Sequence, residues 1–260
     1  MQQPLSIAIV AQTPRDAALA DTIASRLALP ISAQRDNSYD MYLICSQQGI
    51  GLYISALAPM KPLIVDFASE SFLWRRKTHG KNQPMARAIG IKPGYYPAII
   101  DATAGLGRDG FLLAQLGCKV TLIERHPIIY TLLYDGYQRA LTQPELSEIV
   151  ARLSCVQQDA SVYLQQLSLE ARPEVIYLDP MFPPRQKAAL VKKEMQVLHC
   201  LLQDDQVATD LLATALQIAS KRVVVKRPLH APTLEGLQPH HIIATTAMRF
   251  DVYLMGATSV

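Results

Sequence analysis

The sequence predicts an α/β chain: an open, mostly parallel sheet with helices on both faces, preceded by a small α/β region. Three observations carry that expectation. From Ala98 onward, apolar runs of strand length alternate with stretches of helical periodicity, the pattern of parallel strands joined by crossover helices. One run, Ile99-Ile100-Asp101, opens into Ala-Thr-Ala-Gly-Leu-Gly-Arg-Asp-Gly over 102–110, which reads as strand, tight glycine turn and helix start. Half of the 260 residues are hydrophobic and 18% are charged, which allows a sizeable core and argues against disorder.

Taken in order, residues 5–10 read as a strand, and Asp16 to Leu27 carries apolar residues at helical spacing. Met41–Cys45 and Gly51–Ala56 read as strands flanking a turn over 46–49, with another strand at Leu63–Phe67. This region, 1–71, holds no recognisable catalytic motif. Trp74-Arg75-Arg76-Lys77-Thr78-His79-Gly80-Lys81 is the densest basic stretch, and Pro84, Gly90, Pro93, Gly94 and Pro97 punctuate the residues after it. A basic connector is therefore placed at 72–97 and a main domain at 98–260. In that domain Ile99–Asp101, Val120–Glu124, Leu153–Gln157, Val175–Asp179 and Val223–Lys226 are strand candidates. Phe111–Leu116, closed by Gly117, and Ile128–Ala140, Ser161–Leu167 and Gln206–Ala219 are helical. The alternating tail Arg249–Met255 is expected to supply an edge strand.

Cys45, Cys118, Cys155 and Cys200 form no Cys-x-x-Cys pair, so neither a zinc site nor a disulfide framework is expected, and no metal is called for. The N-terminus lacks the positive region of a signal peptide, and no apolar run approaches the roughly 18 residues of a membrane span. A cytoplasmic protein is expected, with no membrane partner. The net charge of +3 is a mild lean toward polyanions.

Gly105-x-Gly107-x-x-Gly110 matches the dinucleotide fingerprint, a weak signal by itself. Glu124, ending the next strand, suits a ribose in either a dinucleotide or an adenosyl cofactor. Asp101 separates the two. An anion just before the glycine turn repels a pyrophosphate and attracts an ammonium or a sulfonium, and S-adenosylmethionine carries both. That assignment puts Gly105, Gly107, Arg108 and Asp109 at the methionine end, Glu124 on the ribose and Arg125 near the adenine. Asp159, Ala160 and Ser161, after the third strand, would reach the adenine, although Asp159 is also a natural helix cap.

Tyr177-Leu178-Asp179-Pro180-Met181-Phe182-Pro183 is the sharper signal. The lone pair of a base's exocyclic amine is delocalised into the ring, and acceptors for both amine hydrogens favour a more nucleophilic, pyramidal nitrogen. Asp179 and the Pro180 carbonyl supply two acceptors, proline stiffens the loop, and Phe182 offers a stacking face for an extruded base.

These segments, with Leu-Val-Lys-Lys-Glu-Met at 190–195 and Lys-Arg-Val-Val-Val-Lys-Arg-Pro at 221–228, resemble the bacterial RsmJ family across most of the chain. The resemblance implies a Rossmann-like class I methyltransferase fold, S-adenosylmethionine as donor, and the N2 of guanosine 1516 in 16S ribosomal RNA as acceptor. It places cofactor contacts on Arg108, Asp109, Glu124, Arg125, the Ala160–Ser161 turn and Asp179. Met181 stands where amine methylases generally have a second proline.

Three basic clusters are candidates for RNA: Arg75-Arg76-Lys77 with Lys81; Arg185 with Lys187 and Lys192-Lys193; and Lys221-Arg222 with Lys226-Arg227, the latter pair at the end of a strand. The partner expected is 16S rRNA or the small ribosomal subunit. Read from the residues alone, an amine methylase acting on DNA, protein or a small molecule stays open. So do a nicotinamide-dependent oxidoreductase, which leaves the Asp179 loop unexplained, and a non-catalytic RNA-binding module.

Overall fold

The structure, a computed structural model, describes residues 5–36, 38–59, 61–69, 83–180, 201 and 210–256. The chain divides into two compact units, one of residues up to Asp66 together with Thr131–Arg139, the other holding most of the remainder from Phe67 onward.

The N-terminal unit is a four-stranded sheet in the order β1-β2-β3-β4, with β1 at Ile7–Ala11, β2 at Met41–Ser46, β3 at Gly49–Ile54 and β4 at Leu63–Ile64. β1 and β2 run parallel, and the other pairs are antiparallel. Helix α1, Ala17–Leu27, packs on β1 and β2 through Ala20, Ile23 and Ala24.

The larger unit is built on seven strands: β5 at Ile99–Asp101, β6 at Val120–Glu124, β7 at Leu153–Gln157, β8 at Val175–Leu178, β9 at Arg222–Pro228, β10 at His241–Ala244 and β11 at Met248–Leu254. Their order is β7-β6-β5-β8-β9-β11-β10. The pairs among β5 to β9 are parallel, while β11 lies antiparallel to both β9 and β10. The tail is therefore not the edge strand that its alternation suggests. β11 is buried along most of its length and β10 takes the exposed edge. A strand with neighbours on both sides needs no polar outer edge, and only the pairing reveals which strands have two neighbours.

The helices that follow in the chain are α2 at Pro84–Ile89, α3 at Arg108–Gln115, α4 at Pro127–Leu141, whose Thr131–Arg139 belongs to the N-terminal unit, α5 at Ser147–Val150, α6 at Ala160–Gln165 and α7 at Leu211–Ile218. On one sheet face Ile100, Ile123, Ile176, Leu178, Val223 and Val225 pack against Leu164 of α6 and Leu212, Ala215 and Ile218 of α7. The residues between them in sequence point to the opposite face, which α3 covers beside β6. There Gly110 is required by close approach: a Cβ would stand 2.1 Å from Leu122 Cδ2 and 3.3 Å from Asp101 Oδ2. Cys45, Cys118 and Cys155 are free thiols whose pKa values burial pushes up, to about 11 for Cys45 and about 12 for the other two. No helix among the described residues is long and apolar enough to cross a membrane.

Candidate active site

The strand order reverses between β5 and β8, so the crevice for a ligand lies beyond their carboxyl ends. Asp101 ends β5, and Asp179 follows β8 directly. Register then selects what joins them. Asp101 is opposite Leu122 of β6 and Tyr177 of β8, and Tyr177 is opposite Val224 of β9. Partners across a parallel pair share a face, as do residues two apart. Asp101, Glu124, Tyr177, Asp179 and Lys226 are thus brought to the face that α3 covers, at the same end of the sheet.

The glycine turn closes over that end. Gly105 and Gly107 have φ of +53° and +73°, values at which a side chain is strained. The Gly107 N–H donates to Ala104 O at 2.8 Å, and Gly107 caps the start of α3. Glu124 holds the turn: its Oε2 accepts from Gly105 N at 2.9 Å and its Oε1 from His126 N at 2.7 Å. A carboxylate has about four lone-pair sites, which lets one group both hold a turn and accept from a hydroxyl. Arg108, half-buried, and Asp109 occupy the first turn of α3.

Asp109, Asp179 and Lys226 form one network. The Lys226 ammonium lies 2.6 Å from Asp109 Oδ2 and 2.8 Å from Asp179 Oδ2, while Tyr177 Oη donates to the same Asp109 oxygen at 2.8 Å. The Asp179 N–H donates to Thr103 Oγ1 at 2.6 Å, and Thr103 N donates to Asp101 Oδ1 at 3.3 Å. Burial raises the Asp101 carboxyl well above the usual carboxylate range, with Asp109 adding to it. Burial also pushes Asp179 up to about 6, against the pull of Lys226 and with the help of Asp109. For Lys226 burial works the other way, but Asp109 and Asp179 outweigh it and hold the ammonium above its ordinary range.

The third-strand residues sit at the neighbouring strand end. Asp159 caps α6, its Oδ1 accepting from Val162 N at 3.1 Å, and its other oxygen is 3.9 Å from Arg125 Nη1. Ala160 is buried. The Ser161 hydroxyl is also buried and has no hydrogen-bond partner among the described residues.

The chain is similar to known proteins. The SAM-dependent methyltransferase family model matches residues 22–255. Ribosomal RNA small subunit methyltransferase J of Thioalkalivibrio sulfidiphilus is 45% identical over 91% of this chain and 93% of that protein. The protein of the same name from Aeromonas salmonicida is 45% identical over 96% and 98%. The chain belongs to the RsmJ family. A solved SAM-dependent methyltransferase from Neisseria gonorrhoeae is 33% identical to it and superposes with a TM-score of 0.75, covering 98% of each chain. Membership makes this an S-adenosylmethionine-dependent enzyme and removes the nicotinamide reading. The sheet agrees: a dinucleotide fold continues with parallel strands where this RsmJ-family chain inserts the antiparallel β11.

The residues of this RsmJ-family site fit the cofactor. Nothing lies within 4 Å of where a Gly105 Cβ would be, the Ser161 hydroxyl lacks a partner among the described residues, and Asp109 and Asp179 share one lysine, a balance that favours a cationic ligand. Thr103 and Tyr177 join the site although no motif in the sequence marks them as site residues. Tyr177 was detectable as the residue two before Asp179 on one strand, hence on the same face.

At the end of β9 the two basic residues singled out in the sequence turn to opposite faces. Lys226 is spent on Asp109 and Asp179. Arg227 is 4% exposed, points to the other face and donates to Pro232 O. There it neighbours Asp251 and Arg249, which are paired at 2.7 Å. Adjacent strand residues face opposite ways, so these two cannot form one basic patch. Pro180 is buried beside Asp179. Phe182, Arg75, Arg76, Lys77, Lys81, Arg185, Lys187, Lys192 and Lys193 lie outside the described residues.

Asp101→Asn tests the buried acid. A carboxyl whose folded-state pKa is raised lowers stability above the unfolded value of about 3.9. The asparagine keeps the acceptor for Thr103 N and drops the charge. The ligand-free variant should melt a few degrees higher at pH 8, with the gain shrinking toward pH 4, while S-adenosylmethionine binds more weakly. Calorimetry at several pH values checks both. Equal melting at all pH values would mean that the carboxyl carries no such cost.

Proposed function

We propose that the chain methylates the exocyclic N2 of a guanosine in 16S rRNA, position 1516 by the family's pattern, in the cytoplasm. The observation that carries the reading is the place of Asp179: at the switch point of the sheet, hydrogen-bonded through its N–H to Thr103 and ion-paired with Lys226, one strand from the glycine turn.

When bound, S-adenosylmethionine supplies an electrophilic methyl group on a sulfonium. The chain's own residues prepare the nitrogen. Asp179 accepts one amine hydrogen and the Pro180 carbonyl the other, which favours a pyramidal nitrogen whose lone pair is less delocalised into the ring. Phe182 stacks on the extruded base. As the nitrogen gains its fourth bond it sheds a proton, and the Asp179 carboxylate, in its raised range, can hold it. Glu124 holds the glycine turn in shape.

Labelled methyl from S-adenosylmethionine, offered to unmodified small-subunit rRNA both naked and assembled, tests the reading once the product is digested to nucleosides. Label in N2-methylguanosine is expected; label in another nucleoside, or only in protein, overturns it. Replacing Arg75 and Arg76 with Ala should weaken rRNA binding uniformly and lower the slope of log affinity against log salt by about 0.7 per lost phosphate contact. An unchanged slope would return this pair to a solvated surface.

A further inference from the structure

Lys226 stands alone in β9 as a cation turned into the cluster of acids, between Arg222 and the end of the strand on the same face. Its two partners belong to different halves of the site. Asp109 comes from the first turn of α3, beside the glycine turn, and Asp179 opens the acid-proline loop after β8. The side chain is 19% exposed, and both contacts are at the short end of charge-assisted hydrogen bonds. A lysine kept for phosphates would be solvated and free to reach outward; this one is held.

We infer that Lys226 is a positioning residue for methyl transfer, which couples the cofactor turn to the catalytic acid by bridging Asp109 and Asp179. The inference rests on the methyl-transfer reading above. Its physical content is the charge balance around Asp179, which is set by Lys226 from β9, Asp109 from α3, Asp101 from β5 and the Tyr177 hydroxyl from β8. Without the cation, Asp179 and Asp109 would face each other as like charges, and one would take a proton at neutral pH. A protonated Asp179 loses an acceptor that the amine needs. The bridge also fixes the direction of the carboxylate, as the Thr103 hydrogen bond fixes its backbone.

The test uses the full-length enzyme as wild type, Lys226→Met, Lys226→Arg and the double variant Lys226→Met/Asp109→Asn. Carboxyl carbon NMR follows the ligand-free titration of Asp179, assigned by its loss in Asp179→Asn. Calorimetry gives S-adenosylmethionine affinity, and kcat and KM for rRNA are measured from pH 5.5 to 8.5. In Lys226→Met the Asp179 midpoint should rise by roughly one pH unit or more, and the acidic limb of kcat should move with it. The rate should then fall roughly tenfold at pH 6 and less at pH 8, with KM for rRNA unchanged. Lys226→Arg should restore most of the rate, and the double variant should bring the midpoint back.

An unmoved midpoint with a raised, salt-sensitive KM would overturn the proposal in favour of a phosphate contact. An unmoved midpoint with lowered melting temperature and equal loss of every parameter would reduce Lys226 to a structural ion pair. If the wild type transfers no methyl to rRNA, the substrate reading fails, and the carboxyl titration still decides whether the bridge exists.

Discussion

Asp179→Ala should lose nearly all methyl transfer to rRNA while remaining a folded enzyme that binds S-adenosylmethionine. The loss expected from removing a positioned acceptor and proton carrier is roughly 10²–10⁴-fold. The fold should survive because what the rest of the site takes from this residue is mainly its backbone. The Asp179 N–H to Thr103 hydrogen bond does not depend on the side chain, and Lys226 keeps Asp109 as its partner at 2.6 Å. Affinity for S-adenosylmethionine should stay within about tenfold, or 1.4 kcal/mol, since Gly105, Glu124 and Asp109 are untouched. Asp179→Asn adds a contrast: it retains one acceptor oxygen and loses the charge, so its residual rate should exceed that of the alanine and vary less with pH. Single-turnover rates with saturating cofactor separate chemistry from binding. Near-normal turnover in Asp179→Ala would remove the residue from the mechanism.

Gly110→Ala should lower both stability and cofactor affinity. The added Cβ would stand 2.1 Å from Leu122 Cδ2, and Leu122 is fully buried in β6, so the leucine has nowhere to go and α3 must move off the sheet. Overpacking of this kind costs about 1–3 kcal/mol, a fall in melting temperature of about 3–10 °C for a chain of this size. Binding should suffer more than stability suggests, because the moving helix carries Arg108 and Asp109 and begins at the Gly107 cap. A loss of S-adenosylmethionine affinity of about tenfold or more is expected, since shifts near 1 Å in a positioned site are costly. Leu122→Val deletes the offending Cδ2, so the double variant should recover part of both losses. That coupling is measured by a double-mutant cycle, and strict additivity would show that the clash is relieved some other way.

Much of this was legible in the sequence because it is local. Short apolar runs bounded by turns mark β5, β6, β8 and β9. Glycines at 105 and 107 announce a backbone with positive φ, as found. Acids at strand ends, Asp101, Glu124 and Asp179, mark the carboxyl edge of a parallel sheet. The dual character of Asp159 was also foreseeable, since an acid before a helix is a natural cap, and it does cap α6.

The sequence by itself determined the fold class, the glycine turn, and which acids end the strands; each of these rests on hydrophobic period, strand length or a φ requirement within a few residues. Tertiary structure alone decided which strands are neighbours, and with them the make-up of the cluster. Lys226 meets Asp179 across 47 residues of chain because Leu178 is paired with Val225, so the next residue of each strand lies alongside. The same register sends Arg227 to the opposite face and makes β10, not the tail, the edge. Parity along a strand is local, but the partner it is counted against is set by long-range pairing and packing, which no short window of sequence contains.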